Sequence, residues 1–201
     1  MTDSATWTER YAAAAMVWDT TPNQFVVEAC TNLPPGRALD LGAGEGRNAI
    51  WLAGRGWTVT AVDFASIAVG RIASHAALQS VRLDAIVANA LNYHPAPDSF
   101  DLALLCYLQL PVGQLRKAIS NAVSGLDVGG RLVVVAHDES NLPNGVGGPK
   151  DPDLLTNADT VAKIATELGL QVVRAELVTR EVRTDLGLQQ ALDYVVEAVH
   201  A

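Results

Sequence analysis

The stretch Asp40-Leu41-Gly42-Ala43-Gly44-Glu45-Gly46-Arg47-Asn48 decides the fold. It follows the short apolar Arg37-Ala38-Leu39 and precedes the apolar run from Ala49 to Ala53, so it reads as a strand end, a turn and a helix start. Glycine belongs where a side chain would block a tight turn or the approach of a ligand to backbone. The first turn of the following helix offers unpaired N–H groups to an anion or a polar cofactor. The segment is therefore suited to a nucleoside-bearing ligand.

Spacing separates the candidate ligands. The dinucleotide fingerprint Gly-x-Gly-x-x-Gly, counted from Gly42, needs a glycine at position 47, but Arg47 stands there and the third glycine is Gly46. The run Asp40-x-Gly42-x-Gly44-x-Gly46 resembles instead the first motif of the class I S-adenosylmethionine (SAM) methyltransferases. The continuation Gly46-Arg47-Asn48 resembles the branch holding tellurite-resistance-type and small-molecule methyltransferases. An acidic Asp40 is favourable beside the amino-acid ammonium of SAM and unfavourable beside a pyrophosphate. A second carboxylate follows. Trp57 to Val62 is rich in β-branched and aromatic residues and ends in Asp63, about 20 residues past the first glycine. Asp63 either accepts from both ribose hydroxyls or starts the next helix beside Ser66, a good N-cap.

Carried over position by position, the resemblance implies that Asp40, Gly42, Gly44 and Gly46 line the methionine end of SAM, with Arg47 and Asn48 next to them. It implies that Asp63 and its neighbour Phe64 hold the ribose side, and that Asn89 and Ala90 meet the adenine. Asn89 replaces an aspartate found in many members; its amide oxygen can still accept from the adenine amino group. Cys106, at the end of the fourth strand, reads either as a small core residue or as a cofactor contact.

The rest of the chain reads as alternating strands and helices of a doubly wound α/β fold. Strands are expected at Ala38–Leu41, Thr58–Val62, Asp84–Ala88, Phe100–Cys106 and Leu132–Ala136. Helices are expected at Asn48–Ala53, at Ser66–Leu78 capped by Ser66, at Gln114–Leu126 before a Gly129-Gly130 turn, and from a Thr156/Asp159 capping box to Leu168. Two late β-rich runs, Leu170–Val182 and Leu192–Val199, are joined by a polar connection containing Gly187. In the resembled fold they form a C-terminal antiparallel hairpin, which completes a single-domain, Rossmann-like, mostly parallel seven-stranded sheet. The expected organisation is one domain over residues 1–201, with a helical arm or lid at 1–35 and the core at 36–201.

Length and composition limit the function. The 201 residues are 49% hydrophobic, enough for a sizeable core. A net charge of -8, with only 14 Lys plus Arg scattered along the chain, disfavours a phosphate backbone as partner. The two cysteines, Cys30 and Cys106, form no Cys-x-x-Cys pattern, so neither a disulfide framework nor a metal site is expected. No apolar run approaches the roughly 18 residues of a membrane span, and a cytoplasmic protein without membrane or nucleic-acid partners is expected.

Acceptor contacts are expected from loops at the carboxyl ends of the strands. Tyr107 follows the fourth strand and reads as a substrate contact, a catalytic group or a rim tyrosine. His137 ends the fifth strand and is the candidate general base, because an imidazole titrates near neutrality. Transfer from SAM to a good nucleophile can also proceed by positioning alone. The glycine-rich connection over 138–157 reads as a lid or a surface loop. Trp7, Tyr11 and Trp18 precede the first strand, and Tyr11 and Trp18 are candidate substrate contacts or packing residues. Two activities stay open: methyl transfer from SAM to a small molecule, and SAM binding without catalysis. An NAD-dependent enzyme is the weaker third reading.

Overall fold

A computed structural model describes residues 11–13 and 20–201 of the chain. Trp7 and Trp18 lie outside the described residues. Seven strands build one sheet: β1 (Arg37–Leu41), β2 (Thr58–Asp63), β3 (Asp84–Val87), β4 (Phe100–Cys106), β5 (Leu126–His137), β6 (Leu170–Thr184) and β7 (Gly187–His200). Their order is β3-β2-β1-β4-β5-β7-β6. The first five pair in parallel, and β7 runs antiparallel to both β5 and β6. The Rossmann-like sheet with a terminal hairpin, expected above, is the architecture found.

The helices that cross between or flank the strands from residue 20 onward are α1 (Gln24–Cys30), α2 (Arg47–Gly54), α3 (Ser66–Leu78), α4 (Val112–Val123), the short α5 (Asn141–Asn144) and α6 (Ala158–Glu167). Side chains alternate along each strand, so the sheet presents two apolar faces. Leu102 and Leu104 of β4 pack with Phe25, Leu52 and Ile72 of α1, α2 and α3. Ala103 and Leu105 pack on the other face with Ile119 of α4 and Ile164 of α6. The chain moves outward from β1 to β2 and β3, then returns to β4 on the opposite side of β1. That reversal opens a crevice beyond the carboxyl ends of β1 and β4, the place where open α/β sheets take ligands.

Several boundaries differ from the sequence reading for identifiable reasons. α4 stops at Val123, and Leu126 opens β5 instead of ending the helix. The Gly129-Gly130 pair lies inside that strand, where the register against β4 shifts between Phe100 and Leu102 and Gly129 takes φ +79°. Asn157, not Thr156, caps α6 by accepting from the Thr160 N–H at 2.9 Å. Ser66 is the first residue of α3, and its N-cap Ala65 donates its N–H to the Asp63 carboxylate at 2.9 Å. β7 begins at Gly187, well before Leu192, because a tight turn at Thr184 and Gly187 lets the polar connection pair as strand. The 138–157 connection contains α5 and a 3-10 turn at Pro152–Leu154. Asn141 pins it, accepting from Leu192 N–H at 2.8 Å and donating to the Gly147 carbonyl at 3.1 Å.

Candidate active site

Two groups of residues face the crevice from opposite sides of the switch point. The first is the glycine turn between β1 and α2. Gly42, Gly44 and Gly46 adopt φ of +82°, +58° and +83°, the left-handed region open to glycine at little cost. At Gly46 a Cβ would stand 2.8 Å from Ile72 Cγ1, and at Gly42 it would stand 2.9 Å from Leu108 Cδ1, so both positions are closed to larger residues. The turn hangs on β2 through Gly42 and Ala43, whose N–H groups donate to the Val62 carbonyl. Asp63 ties it further, accepting from Gly44 N–H and from Ala65 N–H, each at 2.9 Å. Each Asp63 oxygen keeps a lone pair for one more donor. Burial raises its carboxyl above the usual range, against three backbone N–H groups that lower it.

Asp40 differs. It is 1% exposed, and neither carboxylate oxygen finds a hydrogen-bond donor. Burial, and then the charge of Asp63, push its carboxyl from 3.8 up to about 7; the Ala49 backbone eases this without completing a hydrogen bond. A buried carboxylate with no donor is costly unless something brings one. Arg47 is half-buried, its guanidinium carbon 5.8 Å from the Tyr107 ring centroid. The Asn48 side-chain oxygen accepts from Asn23 N–H at 2.9 Å. Just past β3, the Asn89 side-chain oxygen accepts from Leu91 N–H at 2.9 Å, which leaves its NH₂ group as a donor. Ala90 is buried, and its carbonyl accepts from Asn121. Tyr11 is buried with Ala65 and Ala68, against the partly buried Phe64, immediately after Asp63.

The second group centres on Tyr107 and Asp193. Tyr107 is a non-glycine residue at φ +57°, and its N–H donates to the Val135 carbonyl at 2.7 Å. A left-handed φ at a bulky residue marks a position held by its surroundings. Its hydroxyl donates to Asp193 Oδ2 at 2.6 Å and accepts from Asn23 Nδ2 at 3.2 Å and Arg180 Nε at 3.1 Å. Arg180 Nε shares its proton with Asp193 Oδ2, at 2.8 Å. Asp193 is 0% exposed and stands opposite His137 in the β5–β7 register. Its other oxygen lies 2.8 Å from His137 Nδ1. The two atoms are in close contact but do not form an aligned hydrogen bond. Burial alone would push the Asp193 carboxyl up, but the His137, Tyr107 and Arg180 contacts outweigh it and hold it below the usual range. The Tyr107 phenol is pushed up, chiefly by burial and then by the charge of Asp193. Cys106, just before it, is pushed up to about 12 mainly by burial and carries its proton at neutral pH.

The fold thus brings Asp40, Arg47, Asn48, Asp63, Cys106, Tyr107 and His137 to the carboxyl ends of β1, β2, β4 and β5, while Asn89 and Ala90 follow the end of β3, next to β2 in the sheet. Asn23, Arg180 and Asp193 were absent from the sequence reading. Asp193 carries a legible sign, a carboxylate inside the apolar run Ala191-Leu192-Asp193-Tyr194-Val195-Val196; Arg180 carries none, because β6 is polar on its exposed positions. Among the described residues no cluster of three or more His, Cys, Asp or Glu has a metal-holding arrangement. Nor is any helix among them long and apolar enough to cross a membrane.

Residues 38–130 match a family described as a methyltransferase domain. Hemagglutinin 1 of Eikenella corrodens is 32% identical over 127 residues, which is 62% of this chain and 42% of that protein. The chain therefore spans less than half the length of the curated relative it matches. TehB from Haemophilus influenzae superposes with a TM-score of 0.74 at 16% identity, over 98% of this chain and 67% of that one. Magnesium protoporphyrin IX methyltransferase from Synechocystis PCC 6803, solved with SAM bound, superposes with a TM-score of 0.62 at 19% identity, over 98% of this chain and 79% of that one. At such identities the two structures establish a shared fold.

Proposed function

We propose that the chain is a class I, SAM-dependent methyltransferase that transfers the methyl group of SAM to a small-molecule acceptor held between the glycine turn and the Tyr107–His137 pair; the match of residues 38–130 to a methyltransferase domain supports this reading. The observation that carries this reading is Asp40, a buried carboxylate without a donor at the carboxyl end of β1. The ammonium of the methionine moiety supplies the missing donors and the opposite charge. Asp63 takes the ribose hydroxyls on its free lone pairs, and the Asn89 amide with the Ala90 backbone takes the adenine edge. Phe64 flanks that side. Arg47 and Asn48 border the methionine end, and Cys106 fills the floor between the two groups.

When bound, SAM supplies a methyl carbon that bonds to the acceptor's lone pair while the electrons of the carbon–sulfur bond stay on sulfur, which leaves neutral S-adenosylhomocysteine and a proton on the acceptor heteroatom. His137 is the group assigned to collect that proton, a reading supported by its imidazole and by the Asp193 carboxylate 2.8 Å from Nδ1. The Tyr107 ring, centred 4.9 Å from the imidazole, walls the acceptor site. The net charge of -8 works against a nucleic acid as acceptor and favours a small molecule. Tyr11 and Trp18, on the N-terminal arm, are proposed to close over the acceptor or to pack the arm on α3. The proposed setting is the cytoplasm, where the free thiols of Cys30 and Cys106 stay reduced.

Isothermal titration with SAM, S-adenosylhomocysteine and NADH tests the cofactor assignment, repeated on Asp63→Ala. Micromolar binding of both adenosyl ligands, lost in the variant, is the expected result. Well-folded protein that binds neither would overturn it. Product formation over an acceptor panel then tests the transfer itself: binding without turnover would leave a SAM-binding module.

A further inference from the structure

We propose that Asp193 is a positioning residue for His137: it holds the imidazole proton on Nδ1 and so makes Nε2 the atom that takes the acceptor's proton. Gly148 is what keeps that second nitrogen open. The proposal rests on the methyl-transfer reading only for its chemical purpose; the arrangement itself stands on the geometry.

Among the buried atoms of the described residues without an aligned partner are His137 Nδ1 and Asp193 Oδ1, and these two lie 2.8 Å apart. They satisfy each other after a small turn of the ring, and no other residue competes for either. A carboxylate only accepts hydrogen bonds, so Nδ1 must be the protonated nitrogen for the contact to be attractive. The carboxylate cannot swing away. Its Oδ2 is fixed by the Tyr107 hydroxyl at 2.6 Å and Arg180 Nε at 2.8 Å, and Tyr107 is itself held by Asn23. The backbones of His137 and Asp193 are locked opposite each other on β5 and β7.

The far edge of the ring meets the 145–150 turn. At Gly148, φ +74°, a Cβ would stand 2.8 Å from His137 Cδ2 and 3.2 Å from Nε2, so any side chain there would cover the nitrogen. The turn is anchored to β7 through Val146 N–H on the Gln190 carbonyl and through Asn141 on Leu192. One strand thus places both the group behind His137 and the strap in front of it.

The chemical consequence concerns the acceptor class. A proton passing from the acceptor heteroatom to Nε2 converts the imidazole to imidazolium, with Nδ1–H still directed at the Asp193 carboxylate, which balances the new charge. Such a base serves an acceptor whose attacking atom still bears a proton, an alcohol, a phenol or a thiol. An acceptor that arrives already as an anion has no use for it.

Long-range proton–nitrogen spectra of ¹⁵N-histidine-labelled protein test this, with the His137 signals assigned by their loss in His137→Gln. The expected result is a neutral imidazole protonated at Nδ1 in the wild type, moving predominantly to Nε2–H in Asp193→Asn. An Nε2–H imidazole in the wild type, or the same tautomer in both proteins, would overturn the proposal. Should Asp193→Asn fail to fold, the wild-type spectrum decides alone. SAM titration of the same samples keeps the two readings apart. An Nδ1–H imidazole in protein that does not bind SAM leaves the pair standing and sinks the cofactor assignment, and the reverse pattern does the opposite.

Discussion

The two sides of the crevice are built by different means. The glycine-turn side draws Asp40, Gly42, Gly44, Gly46 and Asp63 from one continuous strand–turn–helix–strand unit, and its bond from Gly44 N–H to Asp63 spans 19 positions. The Tyr107 side gathers Asn23, Tyr107, His137, Arg180 and Asp193 from an arm, a loop and three strands, with Tyr107 and Asp193 separated by 86 positions. The first side leaves the Asp40 carboxylate facing no donor, whereas on the second the two buried atoms without an aligned hydrogen bond, His137 Nδ1 and Asp193 Oδ1, face each other at 2.8 Å. A site that leaves a charge bare is shaped for a ligand that brings the opposite charge. A site that ties its charges to each other is shaped to hold one side chain in place.

The sharpest way to break this contrast is to fill the turn. Gly46→Ala should destabilise the protein by about 2–5 kcal/mol, from a left-handed φ together with overpacking against Ile72, and should abolish measurable SAM binding; urea unfolding and titration read both. Next comes Asp40→Asn. SAM affinity should fall by about 2 kcal/mol, roughly 30-fold. In the wild type affinity should climb between pH 5.5 and about 7, as the Asp40 carboxyl loses its proton, and the variant should lose that climb. Stability should move the other way. A carboxyl raised in the folded state from 3.8 to about 7 binds its proton more tightly when folded, so its contribution is complete below the unfolded value and is lost as pH rises to about 7. Denaturant midpoints across that window, compared with Asp40→Asn, give the sign.

On the opposite side, Tyr107→Phe removes one donor from Asp193 but leaves Arg180 in place. The expected cost is about 1–2 kcal/mol of stability, with SAM affinity changed no more than a few-fold. Loss of SAM binding in Tyr107→Phe would show that the two sides are one unit. The smallest effect is expected from Arg116→Ala, which breaks an exposed pair with Glu167 on α6. Less than about 1 kcal/mol should be lost, without any change in ligand binding.

The same contrast explains what could be read in advance. Asp40 to Asn48 and Asp63 announce themselves because glycine spacing and a carboxylate at a strand end are local facts. The element pattern follows from apolar periodicity, and the mostly parallel seven-stranded sheet with its terminal hairpin from the family the motif resembles. Leu126 was misplaced because an apolar residue after a helix looks the same whether it ends that helix or opens a strand. Arg180 and Asn23 were invisible for a different reason: their roles depend on which strand lies beside which, and no spacing in the chain encodes that pairing. Asp193 sat between the two cases, a charge in an apolar strand that signals a buried partner without naming it.

β7 is the last strand of the sheet in the sequence, yet it lies between β5 and β6 and is paired on both sides. During synthesis the Gly42–Gly46 turn and the parallel strands around it emerge long before Asp193 does. The Tyr107–Asp193 side of the crevice therefore assembles only when a late, long-range insertion completes the sheet, the kind of step that topology makes slow. A chain caught before that step would have its glycine-turn segment paired on β2 and its β5 edge exposed, so the two sides of the crevice are expected to form in sequence and not together.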